Sequence, residues 1–211
     1  MSTSVHPMDL ATAERADLAA LLATLTPQQW EAPSLCAGWR VRDVVAHMFS
    51  YEELGPRGLV VRFVKGGILL DRVNAFGVAA WAERSTTDLL AMVNRCLRPR
   101  GLTAGFGGRV ALLDGILHHQ DIRRPLGLPR KPPAERLHCA LTFCRFAPPV
   151  HAAKRTRGLT LTATDVGWTT GRGPAVEGPG ESLLMAMAGR RGVVGELTGP
   201  GVATLAERIG G

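Results

Sequence analysis

The chain has 211 residues, enough for one large domain or two modest ones. Hydrophobic residues make up 45% and charged residues 20%, a balance that excludes a disordered or fibrous chain. The formal net charge is +7, but the basic residues are scattered and aromatics reach only 5%, so a stacking platform for nucleic acid is not evident and nucleic-acid binding is the weakest reading.

The elements follow in order. Residues 9–25, rich in Ala and Leu with charges on one side, read as a first helix that Asp9 or Thr12 can cap. Thr26-Pro27 starts a short helical turn, with Thr26 as N-cap and Trp30 packing it against the rest. Ala32 to Trp39 reads as a loop, and a helix over roughly 40–54 carries Asp43 and His47 up to Gly55-Pro56. Residues 57–84 read as helical, with breaks at Gly66-Gly67 and Gly77. A further helix starts at Thr86/Thr87 and closes before Pro99-Arg-Gly101. Helix 106–123 follows; Pro125 cannot continue it and Gly127 suits the exit turn. Four or so helices with mostly short connections predict an antiparallel four-helix bundle over residues 1–128.

Beyond that the character changes. Residues 133–147 make one more helix up to Pro148-Pro149. Leu159 to Thr164 alternates apolar and polar residues as a strand does. Trp168–Thr170 and Ala175–Glu177 read as two more strands, joined by the Gly171–Pro174 turn. Helices over 179–188 and 202–209 finish the chain. The expected fold class is therefore α+β, a helical bundle followed by a small α+β domain over residues 129–211.

Other features bound the setting. Arg62, Lys65, Asp71 and Arg72 interrupt the longest apolar candidate for a membrane span. Met1 to Pro7 lacks the basic start and apolar core of a signal peptide, so a cytoplasmic location is expected. Lys occurs only at 65, 131 and 154, and this preference for Arg, with abundant Ala and Gly, matches the coding bias of a GC-rich genome. The four cysteines show no C-x-x-C pairing and are expected as reduced thiols. Cys36 lies in a loop just before a helix, where a thiol can have a lowered pKa, although an inert small core residue is the commoner case.

One pair of residues points to chemistry. Asp114 and His118 are four apart, so on a helix they share a face about one turn apart and both can reach one ion. A metal site needs at least one more ligand, and His47, on another amphipathic run, is the best candidate. A His on one helix facing an Asp-x-x-x-His pair on another is how bundles build metal sites. The alternative is a surface ion pair. His119 points about 100° away from His118 and is expected to be partly exposed. Asp121, Arg123 and Arg124 are expected in ion pairs at the helix end, and Asp43 either as a surface charge or as a support for His47.

Two segments, Leu35-Cys-Ala-Gly-Trp-Arg-Val-Arg-Asp-Val-Val-Ala-His47 and Leu117-His-His-Gln-Asp-Ile-Arg-Arg-Pro-Leu-Gly127, resemble signatures of the mycothiol-dependent maleylpyruvate isomerase family. Ala163-Thr-Asp-Val-Gly-Trp168 and Leu184-Met-Ala-Met-Ala-Gly-Arg190 are similar to its second domain. The resemblance implies a DinB-like bundle that holds a divalent ion, usually zinc, on a His and a Glu-x-x-x-His pair. By position these are His47, Asp114 and His118, with Asp114 standing where the family's isomerases have Glu. Two imidazoles and a carboxylate favour Zn²⁺ over Mg²⁺ or Ca²⁺. The resemblance also implies mycothiol as cofactor, a small electrophile as substrate, an isomerase or thiol S-transferase reaction, and a catalytic Arg in the second domain, best matched by Arg190. Against this stand an exposed helix-end charge for Arg190, and a non-catalytic metal-binding protein of the same fold. Which residues bind the thiol, and whether the chain is monomeric or homodimeric, stay open.

Overall fold

A computed structural model describes residues 5–67 and 70–210. Residues 1–4, on which part of the N-terminal reading rests, and 68–69, within the expected 57–84 stretch, lie outside them. The chain divides into two compact units, residues 1–130 and 131–211.

In the first unit, α1 (Pro7–Leu22) starts two residues before the expected 9–25. Its cap is the His6 side chain, which accepts the Met8 N–H at 3.2 Å, with Pro7 in the first helical position where its missing N–H is harmless. Thr12 instead bonds back to the Met8 carbonyl at 2.8 Å. α2 (Pro27–Trp30) opens with the expected Thr26 cap, reciprocated by Gln29. α3 (Val41–Phe49) is shorter than the 40–54 expected and carries His47 in its last turn. The stretch 57–84 resolves into α4 (Pro56–Gly66) and α5 (Leu70–Ala79). A Cβ on Gly66 would meet the Val73 backbone at 2.9 Å, so this glycine lets the two helices cross closely. α6 (Thr86–Arg95) is capped by Ser85, with Asp88 returning the bond.

α7 (Arg109–Arg123) begins three residues later than expected. Phe106 and Gly107 have positive φ of 54° and 68° and end a 3₁₀ stretch over Gly101–Gly108. Gly108, at φ 94°, comes so near α1 that a Cβ there would lie 2.7 Å from the Met8 Cα.

α1 packs against α6 and α7, and α3 against the same two, which closes a four-helix bundle. Leu18, Leu22, Val44, Phe49, Leu89, Met92 and Ile122 fill its core. α5 lies on α3 and pairs with α4. Two buried polar clusters pin the bundle. Arg15 reaches the Glu52 carboxylate at 2.6 Å and the Cys96 carbonyl at 2.7 Å. Glu14, fully buried, takes two bonds of 2.8 Å from Arg130 and one of 2.9 Å from His119.

The second unit contains α8 (Ala134–Cys144), the short α9 (Ala152–Thr156), β1 (Thr160–Ala163), β2 (Trp168–Gly171), β3 (Ala175–Gly178), α10 (Gly180–Met187) and α11 (Val202–Gly210). α9 and the 3₁₀ turns at Pro148–Val150 and Arg191–Glu196 are too short to leave a periodic signal in the sequence. The sheet order is β2-β1-β3: β1 pairs antiparallel with β2 and parallel with β3. The chain therefore passes round the start of β1. Glycine is required at Gly171 and Gly173, where a Cβ would sit 2.1 Å from the carbonyl oxygens of Leu159 and Gly158. β1 and α8 pack on α10, and Trp168 donates its indole N–H to Thr142 at 3.0 Å. The chain is thus mostly helical with one small sheet, the expected α+β class. Among the described residues no helix is long and apolar enough to cross a membrane.

Candidate metal centre

α3 and α7 are neighbours in the bundle, and each contributes to one cluster. His47 comes from α3, Asp114 and His118 from α7. One ligand atom from each of the three lies within 4.8 Å of the other two. The imidazoles of His47 and His118 are 5.0 Å apart, nearly perpendicular at 83°. His118 Nε2 is 3.4 Å from Asp114 Oδ1. That is long for a charge-assisted hydrogen bond. It is close to the roughly 3.4 Å that separates two tetrahedral ligands each bound to zinc at about 2.0–2.1 Å. The donor set and its spacing thus fit a divalent ion.

The other nitrogen of His118 is also engaged. Its Nδ1 is 2.9 Å from Asp121 Oδ2, whose side chain is wholly buried one turn on. The buried carboxylate accepts the Nδ1 proton, which turns Nε2 toward Asp114 and His47. Asp121, expected in an ion pair at the helix end, points into the site.

The loop before α3 completes this support. Leu35 N–H donates to the Asp121 carbonyl at 3.0 Å, and the Cys36 thiol donates to Asp121 Oδ2 at 3.2 Å. Cys36 Sγ also lies 3.7 Å from His118 Nδ1. Cys36 to Trp39 forms a turn closed by the Trp39 N–H on the Cys36 carbonyl at 2.9 Å. Gly38 supplies the positive φ of 77° it needs. The turn delivers the Trp39 ring to within 5.0 Å of His47. Tyr51 stands edge-on to His47 at 6.3 Å.

Electrostatics follow from this packing. Burial opposes charge on His118, but Asp114, by charge and hydrogen bond, and then Asp121 raise its pKa well above the ordinary histidine value. Burial pushes Asp114 up, yet His118 and His47 hold it below the usual carboxylate range. Asp114 remains the open side of the cluster, its side chain 32% exposed.

Three other expected residues have partners of their own. Asp43 caps α3, accepting the Arg40 N–H at 2.9 Å and its guanidinium at 2.9 and 3.0 Å. His119, expected to be partly exposed, is completely buried. It bonds Glu14 through Nδ1 and accepts the Arg123 Nε–H at 2.9 Å. The apolar residues around it gave no sign that α1 would bring a carboxylate to meet it. Arg190 belongs to residues 131–211, where it follows Gly189 (φ 91°) after α10. Its N–H closes on the Met185 carbonyl at 2.9 Å, and its guanidinium reaches the Ala188 carbonyl at 3.1 Å.

The model of the mycothiol maleylpyruvate isomerase N-terminal domain matches residues 11–123, more than half of the chain. Among curated proteins none matches. A crystal structure of the mycothiol-dependent maleylpyruvate isomerase shares the fold with a TM-score of 0.56 at 12% identity, over 92% of this chain and 91% of that one. A histidine-to-alanine mutant under the same name does so with a TM-score of 0.52 at 13% identity, over the same shares. The site residues lie within or beside the matched segment, and the chain belongs to the mycothiol maleylpyruvate isomerase family by its N-terminal domain.

Proposed function

We propose that this protein is a metal- and mycothiol-dependent enzyme, an isomerase or a thiol S-transferase, that acts on a small electrophile. The observation that carries the reading is the convergence of His47, Asp114 and His118 within 4.8 Å, with Asp121 fixing His118 from behind. Family membership supports the thiol dependence and the isomerase class.

His47, Asp114 and His118 would hold the ion, with Zn²⁺ favoured by two imidazoles and one carboxylate. When bound, such an ion supplies the positive charge that keeps a thiol deprotonated at neutral pH. The protein's own residues supply the rest. Asp114 offsets one unit of the ion's charge and leaves net attraction for an anionic sulfur. Asp121 makes His118 the better donor by holding its proton on Nδ1. Trp39 and Tyr51 flank His47 with apolar ring surface, which limits water at the cluster and strengthens each electrostatic contact. Arg190 is carried in the catalytic role that its sequence match assigns. The substrates are small molecules, and the proposed location is cytoplasmic.

The test is metal-loaded protein with mycothiol and maleylpyruvate, the substrate named for the relatives. Isomerisation that requires both metal and thiol supports the reading. Turnover undiminished without added thiol contradicts it. Metal binding with no thiol-dependent turnover of any electrophile favours the non-catalytic alternative.

A further inference from the structure

Arg62, on α4, occupies an unusual position beside the candidate centre. Its guanidinium lies over the Tyr51 ring, 4.9 Å from the centroid, and Nη1 donates to Ser50 Oγ at 2.9 Å. Position 77 on α5 is a glycine that leaves room for it: a Cβ there would meet Ser50 Oγ at 2.6 Å and Arg62 Nη1 at 2.9 Å. α4, α5 and the two residues that follow α3 thus shape a seat for one cation. Two enclosed arginines of this unit meet carboxylates, Arg15 on Glu52 and Arg130 on Glu14. Among the described residues none supplies a carboxylate to Arg62, although its side chain is half-buried.

The seat also adjoins the metal ligands. The Tyr51 ring that carries Arg62 on its face stands edge-on to His47, and its hydroxyl donates to Asn74 Oδ1 at 2.6 Å. A guanidinium has five N–H donors in a planar fork matched to carboxylates. A half-enclosed one without a counter-charge is unfavourable until an anion arrives.

We propose that Arg62 is a substrate-binding residue that receives a carboxylate of the electrophile, one aromatic ring away from the His47–Asp114–His118 cluster. This rests on the functional reading above and adds the residue that selects anionic substrates. It places that selection within residues 1–130, on α4, a helix that contributes no metal ligand.

The experiment is calorimetric titration of zinc-loaded protein with maleate, a dicarboxylate, and with its neutral diamide. Maleate binding is expected to weaken at least about 10-fold in Arg62→Leu and to recover partly in Arg62→Lys, which keeps the charge but loses the fork. Diamide binding is expected to stay within about 2-fold in both, since no carboxylate is there to lose. Arg62→Gln, which keeps a donor for Ser50, is expected to show the same maleate loss and stands in should Arg62→Leu fail to fold. Maleate binding within about 2-fold of wild type in Arg62→Gln would overturn the proposal. Zinc content measured on every variant separates the two claims. If wild type takes up no zinc, the metal reading fails, while the Arg62 dependence of maleate binding is still read on the metal-free protein.

Discussion

Asp121 and His118 meet across 2.9 Å, one turn apart on α7, with the carboxylate wholly buried and the imidazole nitrogen facing it. This contact decides which nitrogen of His118 faces the cluster. With Nδ1 tied to Asp121, Nε2 is left to Asp114 at 3.4 Å and to His47 on α3. A surface ion pair between Asp114 and His118 would need no such backing. A buried carboxylate behind the imidazole is what the proposed ligand set requires.

Asp121→Asn keeps the shape and removes the charge. Zinc affinity is expected to fall about 10- to 100-fold, as for other carboxylates behind a metal-bound histidine. Competition with a chromophoric chelator measures it. An unchanged affinity would mean that Asp121 serves the fold and not the site.

Zinc binding is expected to release protons at neutral pH. The His118 pKa is raised well above the ordinary histidine value despite burial, because Asp114 and Asp121 favour the charged ring. At pH 7 the metal-free site therefore holds a proton that zinc must displace. Affinity should rise with pH until it passes that raised value and then level off. Calorimetry in buffers of different ionisation enthalpy counts the protons; none released near pH 7 would contradict the assignment.

Cys36 touches Asp121 and lies in the loop before α3, where its thiol acts as a donor within the support of His118. Cys36→Ser retains such a donor and should keep zinc and thiol-dependent turnover within a few-fold. An activity that persists in wild type without added thiol, and is abolished in Cys36→Ser, would make Cys36 the nucleophile.

Acid stability should follow the cluster on the other side of α7. Burial alone would raise the Glu14 pKa, but His119 and Arg130 bring it down from 4.5 to about 2. His119 is lowered mainly by burial, with Arg130 adding to this and Glu14 opposing it. Both values are depressed in the folded state, so both contributions are present at neutral pH and are lost on acidification. The His119 part declines below about pH 6.5, where the unfolded residue takes up a proton, and the Glu14 part from about 4.5 down toward 2. The Glu14 part is on the order of 3 kcal/mol. Glu14→Gln should start less stable, because Arg130 and His119 lose their partner, and should lack the second decline. Denaturant midpoints between pH 7 and 3 test this.

Most of the fold and the central triad of the candidate site are legible in the sequence. The Asp114/His118 spacing needs only α7 to be helical, and the amphipathic run around His47 needs only α3 to face it. Both conditions depend on local periodicity, which is written in the chain. The contacts behind them depend on tertiary approach. Asp121 reads as one more charge near a helix end until the Leu35–Cys36 loop is folded onto it. His119 reads as partly exposed because its partner Glu14 lies about a hundred residues earlier in the chain, and Arg130, which clamps Glu14, lies beyond Pro125. Helix starts differ from the periodicity where backbone chemistry overrides it, at Pro7 with its His6 cap and at the left-handed Phe106 and Gly107. Arg62 stood out only as a charge that interrupts an apolar run, since its seat is made by Ser50, Tyr51 and Gly77 from two other segments.

The central claim is a single divalent ion held by His47, Asp114 and His118. Its most direct test is elemental analysis of purified wild-type protein beside the His47→Ala/His118→Ala double variant, each checked for fold by circular dichroism. One zinc-like ion per chain in wild type and none in the folded double variant is the predicted result. Full metal occupancy in the folded double variant would contradict the account.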